Sequence, residues 1–154
     1  MADTIREQII QAFITRAAAI LVSGGYQTDI GENVERAISE ISPSECPALV
    51  VWPATETNER KYGRDNLTTS IRLEGFVVHG SENSSAVSEK ILGDLRKCFT
   101  DPSIKTTAYG TLIEDISYAS GGTETYAKPG ELVTGCGITV SIRYSTLTGD
   151  PYNQ

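Results

Sequence analysis

Cys136-Gly137-Ile138-Thr139-Val140-Ser141-Ile142-Arg143-Tyr144-Ser145 alternates apolar with small or polar side chains throughout. Successive side chains of a strand point to opposite faces, so this stretch reads as a strand with one face in the core. Its other face is wet or paired with a neighbour. No other element of the chain is patterned so cleanly.

Upstream, a strand near 110–119 carries Leu112, Ile116 and Tyr118 on one side with Glu114 interrupting, and Gly121-Gly122 marks a turn or loop after it. A helix over about 84–99 follows from the stripe Val87, Ile91, Leu95, Cys98 and Phe99, with Asp101-Pro102 preventing continuation. From Leu67 to His79 a strand sets Ile71, Leu73 and Val77 against Arg72 and Glu74. Phe76 and Val78 face the other way around Gly75, which implies a bulge at Gly75 or a second covered face.

The run Thr55 to Asp65 is polar and holds Arg60, Lys61 and Arg64. Hairpin loops usually need only about 2–5 residues, so this segment reads as a long connection lying in solvent or at an interface. Before it, Pro47-Ala48-Leu49-Val50-Val51-Trp52-Pro53 is a short apolar run bracketed by prolines, which suits a strand covered on both faces. Residues 26–46 read as a connection with two helical turns, on the spacing of Val34, Ala37, Ile38 and Ile41. Residues 4–23 read as a helix: Ile5, Ile9, Phe13, Ala17 and Ile20 share a stripe, Thr4 and Glu7 have capping-box spacing, and Gly24-Gly25 offers a left-handed stop.

That order of elements implies an α+β fold: a mainly antiparallel sheet of four to five strands with two long helices packed on one face, in a single domain over 1–154. The expected core is Ile9, Phe13, Ile20, Leu49, Val51, Leu73, Val87, Ile91, Leu95, Ile138, Val140 and Ile142, where helical and strand periodicities agree. At 154 residues, 39% of them apolar, the chain is long enough to bury such a core without staples.

Thirteen basic and twenty acidic side chains give a formal charge of −7, which argues against a broad phosphate-binding surface and against docking on anionic lipid. No stretch approaches the roughly 20 apolar residues of a spanning helix. Acidic residues near the N-terminus are unlike a secretory signal, and Cys46, Cys98 and Cys136 are odd in number and widely spaced, so free thiols in a reducing cytoplasm are expected.

The familiar catalytic motifs are missing: there is no G-x-G-x-x-G, no P-loop, no H-E-x-x-H and no G-x-S-x-G. His79 is the one histidine; its place at a strand end favours an exposed structural role over that of a general base. Glu114 and Asp115, adjacent on a strand, point to opposite faces and cannot converge on one substrate. Asn66-Leu67-Thr68 and Asn83-Ser84-Ser85 match a glycosylation sequon that has no meaning without export. No catalytic, metal or cofactor site is expected.

An N-terminal amphipathic helix precedes the proline-led strand Cys46-Pro47-Ala48-Leu49-Val50-Val51, a polar loop, a strand ending Phe76-Val77-Val78, and a helix of the form Val87-x-x-x-Ile91-Leu92-x-x-Leu95. The chain then closes on Ile142-x-Tyr144-Ser145-Thr146-x-x-Gly149-Asp150-Pro151-Tyr152. Over nearly its full length this layout resembles the tail terminator and tail completion proteins of long-tailed bacteriophages.

The resemblance implies a non-enzymatic virion protein, assembled in the host cytoplasm, that forms a homo-oligomeric ring, usually a hexamer. Such a ring docks on the last ring of tail tube protein, ends tube polymerisation and presents its other face to the head-completion or connector protein. A closed ring requires two different patches on each subunit, and the acidic balance suits a lumen that DNA traverses without adhering. Within the segment Thr55 to Asp65, Arg60, Tyr62 and Arg64 are the candidate interface residues, the two arginines offering bidentate pairing to carboxylates of a partner. A solvated loop without a partner is the alternative. Competing functional readings are a head–tail connector of the same virion, a small cytosolic enzyme built around His79 or Cys98, and a monomeric module with one ligand groove.

Overall fold

The computed structural model describes residues 2–101, 109–123 and 127–154. The fold is α+β, with a mixed five-stranded sheet and two α-helices among the described residues. The strands are β1 (Val34–Arg36), β2 (Ala48–Lys61), β3 (Arg64–Val78), β4 (Asp115–Gly122) and β5 (Val133–Leu147); the helices are α1 (Ile5–Ala17) and α2 (Ser84–Thr100). In the sheet the order is β1-β2-β3-β5-β4, with β1 parallel to β2 and every other pair antiparallel.

The alternating strand Cys136 to Ser145 is part of β5, an inner strand of this sheet between β3 and β4. β5 pairs with β3 from Arg64↔Leu147 to Val78↔Val133 and with β4 on its other side. Its apolar positions Cys136, Ile138, Val140, Ile142 and Tyr144 are all buried. They join Leu49, Val51, Ile71 and Leu73 in one cluster with residues of both helices. All twelve expected core positions belong to that cluster, where Phe13 stacks on Phe99 at 5.3 Å and on Tyr109 at 5.0 Å. Stacked rings at this spacing add to the stabilisation from burial alone.

Several local expectations are corrected. α1 ends at Ala17, well before the glycine pair, because Gly31 crosses its end: the Gly31 N–H donates to the Ile20 carbonyl at 2.9 Å. Gly25 adopts the left-handed conformation, but it closes a 3-10 turn over Val22–Gly24. Of the expected capping box only half forms. Thr4 Oγ1 accepts the Glu7 N–H at 3.1 Å, whereas the Glu7 carboxylate turns to Arg36, at 2.7 and 2.9 Å. The helical turns expected around 34–41 are instead the short parallel strand β1, registered as Val34↔Leu49 and Arg36↔Val51.

Gly75 carries no bulge. Its pairing is continuous with Leu49 on one side and Cys136 on the other, and the register breaks lie at Pro53/Glu56 on β2 and Tyr118/Ser120 on β4. Gly75 serves close packing, since a Cβ there would stand 2.6 Å from Ile91 Cγ2 and 2.9 Å from Ile30 Cδ1. Gly121-Gly122 closes β4 rather than following it. Ala48 to Val51 are buried at every position, as a strand covered on both faces requires. α2 starts on Asn83, whose Oδ1 accepts the Ser85 and Ala86 N–H groups, so the second sequon asparagine is a helix cap. The helix stops at Asp101; Pro102, expected to end it, lies outside the described residues.

Candidate interface at the hairpin tip

The polar segment Thr55 to Asp65 is not a loop. It is the distal half of a β2–β3 hairpin registered through Glu59↔Asn66, Arg60↔Asp65 and Lys61↔Arg64, with Tyr62-Gly63 as its two-residue turn. Both turn residues have positive φ, 54° and 71°, as a type I′ turn requires. Glycine adopts this conformation freely, whereas tyrosine pays about 1–2 kcal/mol for it. Tyr62 is also 90% exposed, with Lys61 Nζ 5.3 Å from its ring centroid. A strained aromatic held out in water is the least expected residue of the surface.

Arg60 does not reach outward. Its Nε and Nη2 donate to the two carboxylate oxygens of Asp65, at 2.8 and 3.3 Å. Asp65, which is buried, also accepts from Asn58 Nδ2 and from the Gly149 N–H, at 3.2 and 3.0 Å. The Arg60 guanidinium, the Gly149 amide and Asn58 together hold the Asp65 carboxyl far below the usual carboxylate range. Of the three candidate interface residues, then, Arg60 is committed within the subunit. Tyr62 and Arg64 remain, two positions apart at the tip.

Beneath the hairpin a cleft of about 350 Å³ is lined by Arg6, Glu56, Leu67, Tyr144 and the C-terminal turn. Arg6 donates to the Ala54 carbonyl and lies 3.6 Å from Glu56 Oε1, and Glu56 in turn accepts the Tyr144 hydroxyl. Burial, and then this contact with a carboxylate, raise the Tyr144 phenol well above its ordinary range. The Ile5 N–H donates to the Pro151 carbonyl at 2.8 Å, so the start of α1, the foot of the hairpin and the C-terminal turn meet here.

Asp65, Glu56 and Tyr144 have no role at a site in the sequence reading. Asp65 becomes visible once Tyr62-Gly63 is taken as a turn, because Arg60 and Asp65 are then cross-strand partners. The same holds for Asp94 on α2, buried and accepting from the Gln27 and Thr28 N–H groups and the Thr28 hydroxyl; its partners lie 66 and 67 residues away, beyond any local pattern.

His79 and Cys98 are the alternative centres expected for an enzyme. His79 sits at the end of β3 with Nδ1 2.9 Å from Thr134 Oγ1, beside a cleft of about 290 Å³ that Cys46, Asp29, Glu82 and Lys90 also line. Cys98 is buried in the core, and burial pushes its thiol up to about 11, away from the thiolate that nucleophilic chemistry needs. The three cysteines are free, Cys98 and Cys136 buried and Cys46 half-buried. Asp115, at the start of β4, lies 3.5 Å from Arg143. Among the described residues no group of three or more His, Cys, Asp or Glu is placed to hold a metal ion, and no helix is long and apolar enough to cross a membrane.

No family model matches this chain. No curated protein matches it either. The functional reading therefore rests on the geometry above and on the layout of the elements.

Proposed function

We propose that the chain is a structural subunit of a tailed bacteriophage, a tail terminator that forms a ring on the end of the tail tube, stops its growth and offers the head-completion protein a docking surface. The observation that carries the reading is Tyr62, strained and exposed at the tip of a paired hairpin. Folding alone does not favour that residue there, whereas contact with a partner gives it a use, because tyrosine is enriched where interfaces are dry.

Several features accord with this role. The sheet taken as mainly antiparallel, with both helices on one face, is the layout that carries the resemblance. In this reading Tyr62 and Arg64 touch the tube or the neighbouring subunit, and Arg60 positions the tip through Asp65. No catalytic step, cofactor or nucleic-acid site is invoked, and the site of action is the virion tail.

The test is electron microscopy of the purified protein mixed with the tail tube protein of the same virion. Capped tubes of reduced length are expected. The double variant Tyr62→Ala, Arg64→Ala should fold normally and leave tube length uncontrolled; uncapped, unshortened tubes with the unaltered protein would defeat the assignment. Capping by the unaltered protein but not by the double variant places the contact at the tip.

A further inference from the structure

Among the described residues the sheet leaves two edges open. On one side β1 covers only the foot of β2, pairing with Leu49 to Val51. Beyond it, among the described residues, no strand lies along β2 on the side away from β3. On the other side β4 ends the sheet order, and most of its residues are exposed. Open edges display unpaired backbone donors and acceptors and are ordinarily blunted by shortness, proline or bulges.

Both edges have such devices, but only over part of their length. On β2 the proline and the bulge lie at Pro53/Glu56, and past them the register with β3 is regular from Glu56 to Lys61. On β4 the bulge lies at Tyr118/Ser120, and Asp115 to Tyr118 pair regularly with β5. The two regular segments lie at the same end of the sheet, since the pairings Thr57↔Thr68, Thr68↔Arg143 and Arg143↔Asp115 form one row across it.

We propose that these two segments pair with each other between neighbouring copies of this chain, the β2 edge of one subunit continuing onto the β4 edge of the next. Direction favours it. β2 is antiparallel to β3, β3 to β5 and β5 to β4, so β2 and β4 run opposite ways. A copy that continues the sheet in the same sense therefore meets its neighbour as an antiparallel pair, the more stable kind of ladder. Charge sets the stagger: when the copies are offset from that row by the four residues between Thr57 and Lys61, Lys61 at the end of β2 meets Asp115 at the start of β4. Because the two edges differ, the contact is head-to-tail and repeats from copy to copy, which is what closure by rotation requires. The inference rests on the ring reading for that closure and supplies the contact that reading lacks.

The test uses single cysteines on exposed strand positions. In a Cys46→Ser background, which leaves only the buried Cys98 and Cys136, Lys61→Cys and Asp115→Cys are purified separately, checked for an unchanged melting curve, and treated with a short bis-maleimide alone and mixed. Covalent dimer is expected from the mixture and not from either variant alone, and the chain carrying both changes should give a ladder. Ser39→Cys, exposed and outside the two segments proposed to pair, reports random collision. Dimer from Lys61→Cys alone would mean that the β2 edge meets itself and would overturn the proposal. So would a mixture giving no more product than the Ser39→Cys control at the highest soluble concentration. The outcomes separate from those of tube capping: capped tubes without the mixed cross-link defeat edge pairing alone, whereas cross-linked rings that leave tubes unshortened defeat the terminator reading alone.

Discussion

The guanidinium of Arg60 donates to both carboxylate oxygens of Asp65, two hydrogen bonds joining the paired strands one step below the hairpin tip. The same carboxylate accepts the Gly149 N–H, so one acidic side chain ties the hairpin to the C-terminal turn. Replacing Asp65 with Ala should release both. The expected outcome is a lower melting temperature together with loss of hydrogen-exchange protection at the Gly149 amide. Protection that persists would mean that the turn holds without Asp65.

Tyr62 predicts effects of opposite sign on folding and on assembly. Asparagine tolerates the left-handed conformation that Tyr62 is forced to adopt, so Tyr62→Asn should stabilise the subunit by about 1 kcal/mol in denaturant unfolding. Tube capping should weaken in the same variant. A variant that is less stable than the parent would remove the argument from strain.

Acid should loosen the contact between α1 and β1. Hydrogen bonds from Arg36, and then from Gln11, lower the Glu7 carboxyl to about 2 from an ordinary value of 4.5. The folded state thus prefers the ionised form. Its contribution is complete above about 4.5 and disappears as the pH falls toward 2. Melting temperature measured across that window should fall less steeply in Glu7→Gln than in the parent, and identical slopes would show that the pair is too solvated to matter.

Leu95 is fully buried on α2 within the central cluster. Leu95→Ala should cost about 2–5 kcal/mol, read from the denaturant midpoint at unchanged slope. A change within error would place that face of the helix in solvent.

What could be read from the sequence follows from how local each signal is. The alternation from Cys136 to Tyr144 and the stripe Val87, Ile91, Leu95 are properties of one element each, and both elements stand where those patterns put them. β1 escaped because three residues paired in parallel to a distant strand leave no period of their own, and Val34, Ala37, Ile38 and Ile41 imitate a helix. The hairpin escaped because tyrosine is a poor first residue for a type I′ turn, so the segment looked too long to close tightly. All three interface candidates read as parts of one long loop; the hairpin sets Tyr62 and Arg64 at its tip and binds Arg60 to Asp65 across the strands, a pairing that only the turn at Tyr62-Gly63 makes visible.

The unbroken β3–β5 ladder has a mechanical consequence. Its pairing runs from Val78↔Val133 in the body of the sheet to Arg64↔Leu147 beside the tip with no register break, while the outer strand β2 is interrupted at Pro53/Glu56. The hairpin is therefore held along its inner strand, β3, by β5 as far as the tip, while its outer strand, β2, carries the one register break. A load applied at Tyr62 passes along those inner strands to Ile71, Leu73, Ile138 and Val140 and is borne by the core instead of being dissipated in a loop. A part of this kind resists axial push and pull and yields sideways, toward the strand that carries the bulge.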